Sequence, residues 1–500
     1  MSVVDASSVP RSVADESSAV ARVAAWFTVA DHARLGRLYL SLTGLWLLVA
    51  AVLGALLGLE RMDSGSALVD AGAHVQLFAL HQYAVVIGVA APLFLGVALL
   101  VVPSLLGAST VSFVRLAAFG FWLWTAGSAL VVAAMLMNGG PGGGDADGVE
   151  LYLLGLGTAI VGVLCTAVSL AATVIARRNG ASLDSVSVFV FSVLVGATGL
   201  VLTMPVALGT IIYLWVDFAN ARVAFGGTGL MASWLAWLFD QPQSLLFVAP
   251  ALGVLGHLGA VAGRVRQPLR GGVLVGIGLA AVAVVSSVTQ RSHVFAVGDT
   301  PVDTLGSLVP YALFHLLPLL APLIVVALAL LALKAGSPRL VAPFVPAFLG
   351  VGMILTGLVG TAVQMLGATD LAGTVFGEAA LMYVVYGGAL GAFAALSYWS
   401  TAIWRRVLPT GAVIAVSLLG FLATVLSALP HYVAGFLGQP AARAGGFDDA
   451  GVRGVLNTIA ALGHLAMAAA VLGAVAVVAR ACARGAETTA NPYDAPEVTQ

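Results

Sequence analysis

The sequence predicts an all-α polytopic membrane protein of about twelve transmembrane helices. Three observations predict it. Of 500 residues, 60% are hydrophobic and only 9% charged. The mean hydropathy is +1.06. Apolar runs of about 20 or more residues recur along the chain, each long enough to cross roughly 30 Å of hydrocarbon at about 1.5 Å per residue. Lipid offers backbone amides no partner, so spanning segments must be helices or closed barrels, and barrel strands would alternate polar with apolar. Two cysteines, Cys165 and Cys482, are too few and too far apart for a disulfide framework or a thiolate metal site. A formal charge of −1 gives no sign of a nucleic-acid partner, and the sequence has no Gly-rich phosphate loop, HExxH or CxxC.

Breaks at charged or Gly/Pro-rich stretches place the expected spans at 37–60, 74–103, 112–137, 150–176, 186–216, 231–262, 272–293, 306–334, 340–366, 374–403, 409–436 and 454–480. Residues 1–30 are expected to form a polar tail and not a cleaved signal, 31–482 the membrane domain, and 483–500 a second polar tail. With a cytoplasmic N-terminus, sixteen Arg and Lys fall at cytoplasmic ends, against five outside, namely Arg61, Arg222, Arg291, Arg443 and Arg453. The positive-inside rule then puts both termini in the cytoplasm. The outer loops carry acids instead, including Asp145, Asp217, Asp370, Asp448 and Asp449, and are too short to fold as domains. Twenty Arg against one Lys suggests a high-GC bacterial genome, and hence a bacterial inner membrane as the location.

A series of short motifs runs along this frame. Asp31-His32, Gly36 and Leu38-Tyr39-Leu40 open the first span; Ala79-Leu80-His81 lies in the second, with Pro92 eleven residues on, then Val102-Pro103 and Gly107-Ala108. Met204-Pro205 to Gly209, Trp237 to Gln243, Ser292-His293-Val294-Phe295, Leu429-Pro430 to Gly435, and Asn457 with Gly463 complete it. In this order and at this spacing the series resembles subunit I of the haem-copper oxidases, the cytochrome c oxidases and their quinol-oxidising relatives, over roughly residues 30 to 480. The resemblance implies that family's helix arrangement, in three arcs enclosing pore-like spaces, and a place among other membrane subunits of a respiratory electron-transport complex.

It also implies where metals would sit. In that family a low-spin haem hangs between a His of the second helix and one of the tenth, a high-spin haem takes another His of the tenth, and copper takes three. Here the low-spin positions read His81 and Met382, the high-spin position reads Ala380, and the copper positions read Gln241, Ser292 and His293. Alanine has no donor atom, and an amide, a hydroxyl and one imidazole make a poor copper site beside three imidazoles. The family's cross-linked tyrosine falls at Leu245, and its proton-carrying groups fall at Gln243, Thr110 and Pro322. The resemblance therefore implies a degenerate oxygen-reducing centre with no catalytic residue and no copper, and at most one low-spin haem on His81 and Met382, since a thioether still donates to iron. The family's haem-propionate arginines fall at Ala441 and Ala442, with Arg443 nearby.

Blander readings stand beside these. Met382 also reads as packing in an apolar helix, and His81 as a hydrogen-bonded relic. His74 reads as a hydrogen-bonded group at the membrane edge, and His257, His315, His431 and His464 as residues that bind no metal. Glu378 lines an emptied cavity or is, like Asp370, a solvated carboxylate at a loop edge. The expected function is a structural or electron-transferring subunit of a larger membrane complex. The alternatives are an active terminal oxidase with unusual ligands, and a transporter or binder of an apolar small molecule that uses the vacated haem cavities.

Overall fold

In the computed structural model, residues 31–62, 69–222, 224–339, 341–443 and 450–493 are described. The expected tail at 1–30, Asp448, Asp449 and residues 494–500 lie outside them. Eleven helices among the described residues are long and apolar enough to span a bilayer: α1 (His32–Glu60), α2 (Ala71–Leu105), α3 (Val114–Leu136), α4 (Ala146–Ala176), α5 (Val188–Ala219), α7 (Arg270–Thr289), α8 (Pro301–Ala335), α9 (Phe344–Gln364), α10 (Val375–Tyr398), α11 (Thr410–Phe436) and α12 (Gly451–Arg484). Between α5 and α7 lies a shorter apolar helix, α6 (Pro250–Gly263).

The span expected over 231–262 is thus a correction: it is broken into Gly227–Leu235, a tight turn at Ala236–Leu238, Gln243–Val248 and α6. Pro242 and Pro250 each lack the N–H that an uninterrupted helical ladder needs. Elsewhere proline is absorbed rather than allowed to break the helix. Before Pro92, α2 widens into a π turn at Ala84–Ala90, and before Pro318, α8 does the same at Ala312–Leu316. The wider turn relieves the clash between the proline ring and the preceding turn's carbonyl.

Helices approach closely where glycine allows it. A Cβ placed on Gly162 would lie 2.3 Å from the Trp124 amide nitrogen, and one on Gly127 would lie 2.4 Å from that of Ala159, so α3 and α4 meet backbone to backbone. Gly350 and Gly387 do the same for α9 and α10. Lipid tails are as apolar as leucine, so such contacts, and not burial from water, hold spanning helices together. The apolar windows of α2 and α10 are 94% and 89% buried, against 33% for α8, which makes α2 and α10 the central pair.

The described part of the polar segment after α12 folds back on the bundle. Thr488 donates its amide to the Arg405 carbonyl at 3.1 Å, Arg406 pairs with Glu487 at 2.9 Å, and the Tyr493 ring stacks on Tyr398.

Gly162→Val is expected to force α3 from α4 and to lower stability by about 1–3 kcal/mol, the usual cost of overpacking. Thermal unfolding in detergent, compared with Gly352→Val at a site with open space beside it, measures the difference.

Candidate functional site

The central pair of helices brings His81 and Glu378 together. α10 starts at Thr374, whose hydroxyl accepts from the Phe376 amide at 3.3 Å, and Glu378 falls in its first turn, where the helix dipole favours a carboxylate. Val375 donates its amide to Gln439 O and Ala441 donates to Gly373 O, each at 2.9 Å, tying this helix start to the segment after α11. Glu378 is therefore drawn inside and is 4% exposed, which excludes the solvated loop-edge reading.

Its partner is Arg61, the C-cap of α1, which is 2% exposed. Arg61 Nη1 lies 3.0 Å from Glu378 Oε2, an ionic contact without hydrogen-bond alignment. Nη2 donates to Ala441 O at 2.7 Å, and the Arg61 carbonyl accepts from Asn457 Nδ2 at 3.0 Å. Asn457 and Gln439 complete the frame with reciprocal amide bonds of 3.1 and 3.3 Å.

Three buried imidazoles surround the pair. His81 Nδ1 is 3.6 Å from Glu378 Oε1, too long for a hydrogen bond, and its Nε2 has no hydrogen-bond partner. The His464 ring sits 5.8 Å from that of His81, with its Nδ1 3.0 Å from the Tyr386 hydroxyl and its Nε2 unpartnered. His431, on α11, is 1% exposed, interacts electrostatically with Glu378 and lies beside the Asn457 side chain. His74 is also buried with both nitrogens unbonded, so the reading of it as a hydrogen-bonded edge group is not met. Met382, fully buried, lies one turn beyond Glu378 on the same face of α10. Sequence reasoning missed Arg61, His431 and His464 as members of this cluster. A signal for them existed, because ionisable groups at membrane depth carry function more often than not.

The positions matched to copper are arranged differently. Gln241 donates Nε2–H to His315 O at 3.1 Å, and His315 donates Nε2–H to Ser292 O at 2.6 Å. Gln243 donates to Ser286 Oγ at 2.7 Å and to Ala283 O at 3.2 Å. His293 takes a left-handed backbone with φ of 52°, bonds Thr289 Oγ1 at 2.6 Å and packs its ring on Phe314 at 4.5 Å. Ala380 is buried and offers no donor. Among the described residues no three His, Cys, Asp or Glu side chains converge as a metal site.

Removing one partner of a buried ion pair leaves a bare charge and costs about 3–5 kcal/mol. Glu378→Ala and Arg61→Ala are each expected to show a loss of that order, while the double variant recovers most of it. A double-mutant cycle by unfolding in detergent checks this.

Comparison with known proteins agrees with this architecture. The model of the family described as Cytochrome C and Quinol oxidase polypeptide I matches residues 34–475. A putative cytochrome c oxidase subunit 1-beta of Streptomyces avermitilis is 25% identical over 291 residues, covering 55% of this chain and 51% of the relative. Quinol oxidase subunit 1 of Bacillus subtilis is 24% identical over 293 residues, covering 55% and 45%. A probable cytochrome c oxidase subunit 1 of Bradyrhizobium diazoefficiens is 26% identical over 450 residues, covering 83% and 65%. The chain thus spans about half the length of the first two relatives and two thirds of the third. A cryo-EM structure of a heme-copper terminal oxidase dimer superposes with a TM-score of 0.68 at 16% identity, covering 92% of this chain and 86% of that one, a likeness of fold. With a family model matched across nearly all of the membrane domain and the fold shared as well, the chain belongs to the cytochrome c and quinol oxidase polypeptide I family.

Proposed function

We propose that this chain is a subunit I-like membrane protein whose oxygen-reducing centre is degenerate, serving as a structural or electron-transferring subunit of a larger membrane complex. The observation that carries the reading is the state of the copper and high-spin positions. The Gln241 amide is hydrogen-bonded to the His315 carbonyl, the Ser292 carbonyl is bonded by His315, and Ala380 has no donor atom. These residues do not fit copper or a second haem. An active oxidase would need three imidazoles, whereas His293 alone stands at a matched position and the neighbouring His315 commits its Nε2 to the Ser292 carbonyl.

The low-spin position is chemically different. His81 has a buried, unpartnered Nε2 and a carboxylate 3.6 Å behind its Nδ1, which is how an axial imidazole is usually backed. With Met382 on the facing helix, the donor set fits one six-coordinate haem. Such a haem, when bound, passes single electrons between partners. Arg61, the buried cation of this cluster, would also face its propionates, in place of the arginines missing at Ala441 and Ala442. The partners in this reading are other membrane subunits within the lipid bilayer, and nucleic acid has no part. The location is a bacterial cytoplasmic membrane with both termini on the cytoplasmic side, supported by the distribution of arginine.

Oxidised and reduced visible spectra and metal analysis of the purified protein test both parts. The expected outcome is no stoichiometric copper, no oxygen consumption with any donor, and at most one low-spin haem. If haem is present, Met382→Leu is expected to alter the reduced spectrum and His81→Ala to abolish it. Copper bound near His293 would overturn the degenerate centre, and an unchanged spectrum in either variant would overturn the ligand assignment.

A further inference from the structure

α1 and α12 touch tightly at one end and part at the other. A Cβ on Gly54 would lie 2.5 Å from the His464 ring, and one on Gly58 would lie 2.9 Å from Ala461 Cβ, so in this half the helices are in direct contact. Ten residues earlier on α1, a Cβ on Gly44 would meet nothing within 4 Å. The wedge between the diverging helices is a cavity of about 450 Å³, closed behind by α10 and α11. Its walls are almost wholly apolar, with Leu47, Phe393, Met467 and Ala474 among them, and Arg37 and Trp404 stand at its mouth.

Length and charge name an occupant. The cavity runs from Arg37 to Leu47 on α1, about 15 Å, and from Ala479 to Met467 on α12, about 18 Å, at helical rise. That is close to half of the roughly 30 Å hydrocarbon core, the reach of one acyl chain from its headgroup to the midplane. At the mouth, Arg37 commits one N–H to the Ile403 carbonyl at 3.0 Å, and Arg34 and Arg405 lie at the same end of the bundle. A basic pocket between spanning helices at the membrane edge attracts an anionic headgroup, and tryptophan at that level suits the interface.

We infer that this wedge is a built-in site for one anionic phospholipid, its phosphate at Arg37 and one acyl chain laid between α1 and α12 as far as Tyr386. The lipid fills space that the divergence of the two helices leaves open, and so seals the bundle on the side of the N-terminal end of α1. The inner end of the wedge, Tyr386, meets His464 beside His81, so the tip of the acyl chain would adjoin a haem held there.

The test is lipid retention by the full chain. Protein purified in mild detergent and washed with detergent plus zwitterionic phosphatidylcholine is extracted, and bound lipid is identified by mass spectrometry. One phosphatidylglycerol or cardiolipin per chain is expected to survive the wash. Gly44→Leu, which fills the wedge from α1, and Ala474→Phe, which fills it from α12, are each expected to reduce retention about tenfold or more, equivalent to about 1.4 kcal/mol of lost affinity. Arg37→Gln is expected to remove the preference for anionic over zwitterionic lipid. Melting temperature serves as the folding control, and at least one filling variant is expected to match the wild type. No retained phospholipid in the wild type, equal retention in a folded filling variant, or an isoprenoid quinone retained by the wild type and lost from the filling variants would each overturn the assignment.

Discussion

Arg61 closes the first span with its side chain turned inward, and from that turn much of the packing at this end of the bundle follows. A guanidinium removed from water and lipid headgroups needs a counter-charge, and Glu378 supplies it from the first turn of α10. The same guanidinium holds the Ala441 carbonyl, and its own backbone carbonyl is held by Asn457. One cation thus joins the ends of α1 and α11 to the starts of α10 and α12. A buried ion pair is weak evidence of net stability, because desolvation offsets the Coulomb gain. Its effect here is on specificity: displacing one partner leaves the other charge buried without its closest counter-charge, which disfavours alternative packings of these four helix ends.

The two regions pair their buried polar groups to different extents. Around Gln241 and Gln243 the amides donate to carbonyls and a hydroxyl, with Gln241 Oε1 and His315 Nδ1 left without partners. Around Glu378, both nitrogens of His81 and Nε2 of His464 stay unpartnered. An unmet buried polar atom costs free energy that a hydrogen-bonded one does not. Around Glu378 these atoms gather beside a buried carboxylate and a buried cation.

The family frame explains why so much departure is tolerated. Spanning helices hold their positions through glycine-mediated contacts such as Gly127 with Ala159 and Gly350 with Gly387, none of which involves a metal position. The residues present at Ala380, Gln241 and Ser292 are therefore compatible with an intact bundle, and the fold matches a terminal oxidase with a TM-score of 0.68.

What the sequence determined by itself is what depends on side-chain identity and local run length. Apolar stretches had to become spanning helices because lipid gives backbone amides no other partner, and eleven of the twelve expected spans are met by helices long enough to cross. That Ala380 carries no donor atom and Gln241 an amide was equally legible, since no fold restores an atom that is not there. The broken sixth span was less so, although Pro242 and Pro250 marked it, because apolar content outweighed the missing N–H groups in the reading. Only the tertiary structure decided that Glu378 lies inside and not at a loop edge, and that Arg61 faces it. It also decided that His464 reaches His81 and that the segment before Tyr493 docks on Tyr398. These pairings join residues far apart in the chain, and the burial that sets their electrostatics exists only once the helices have packed.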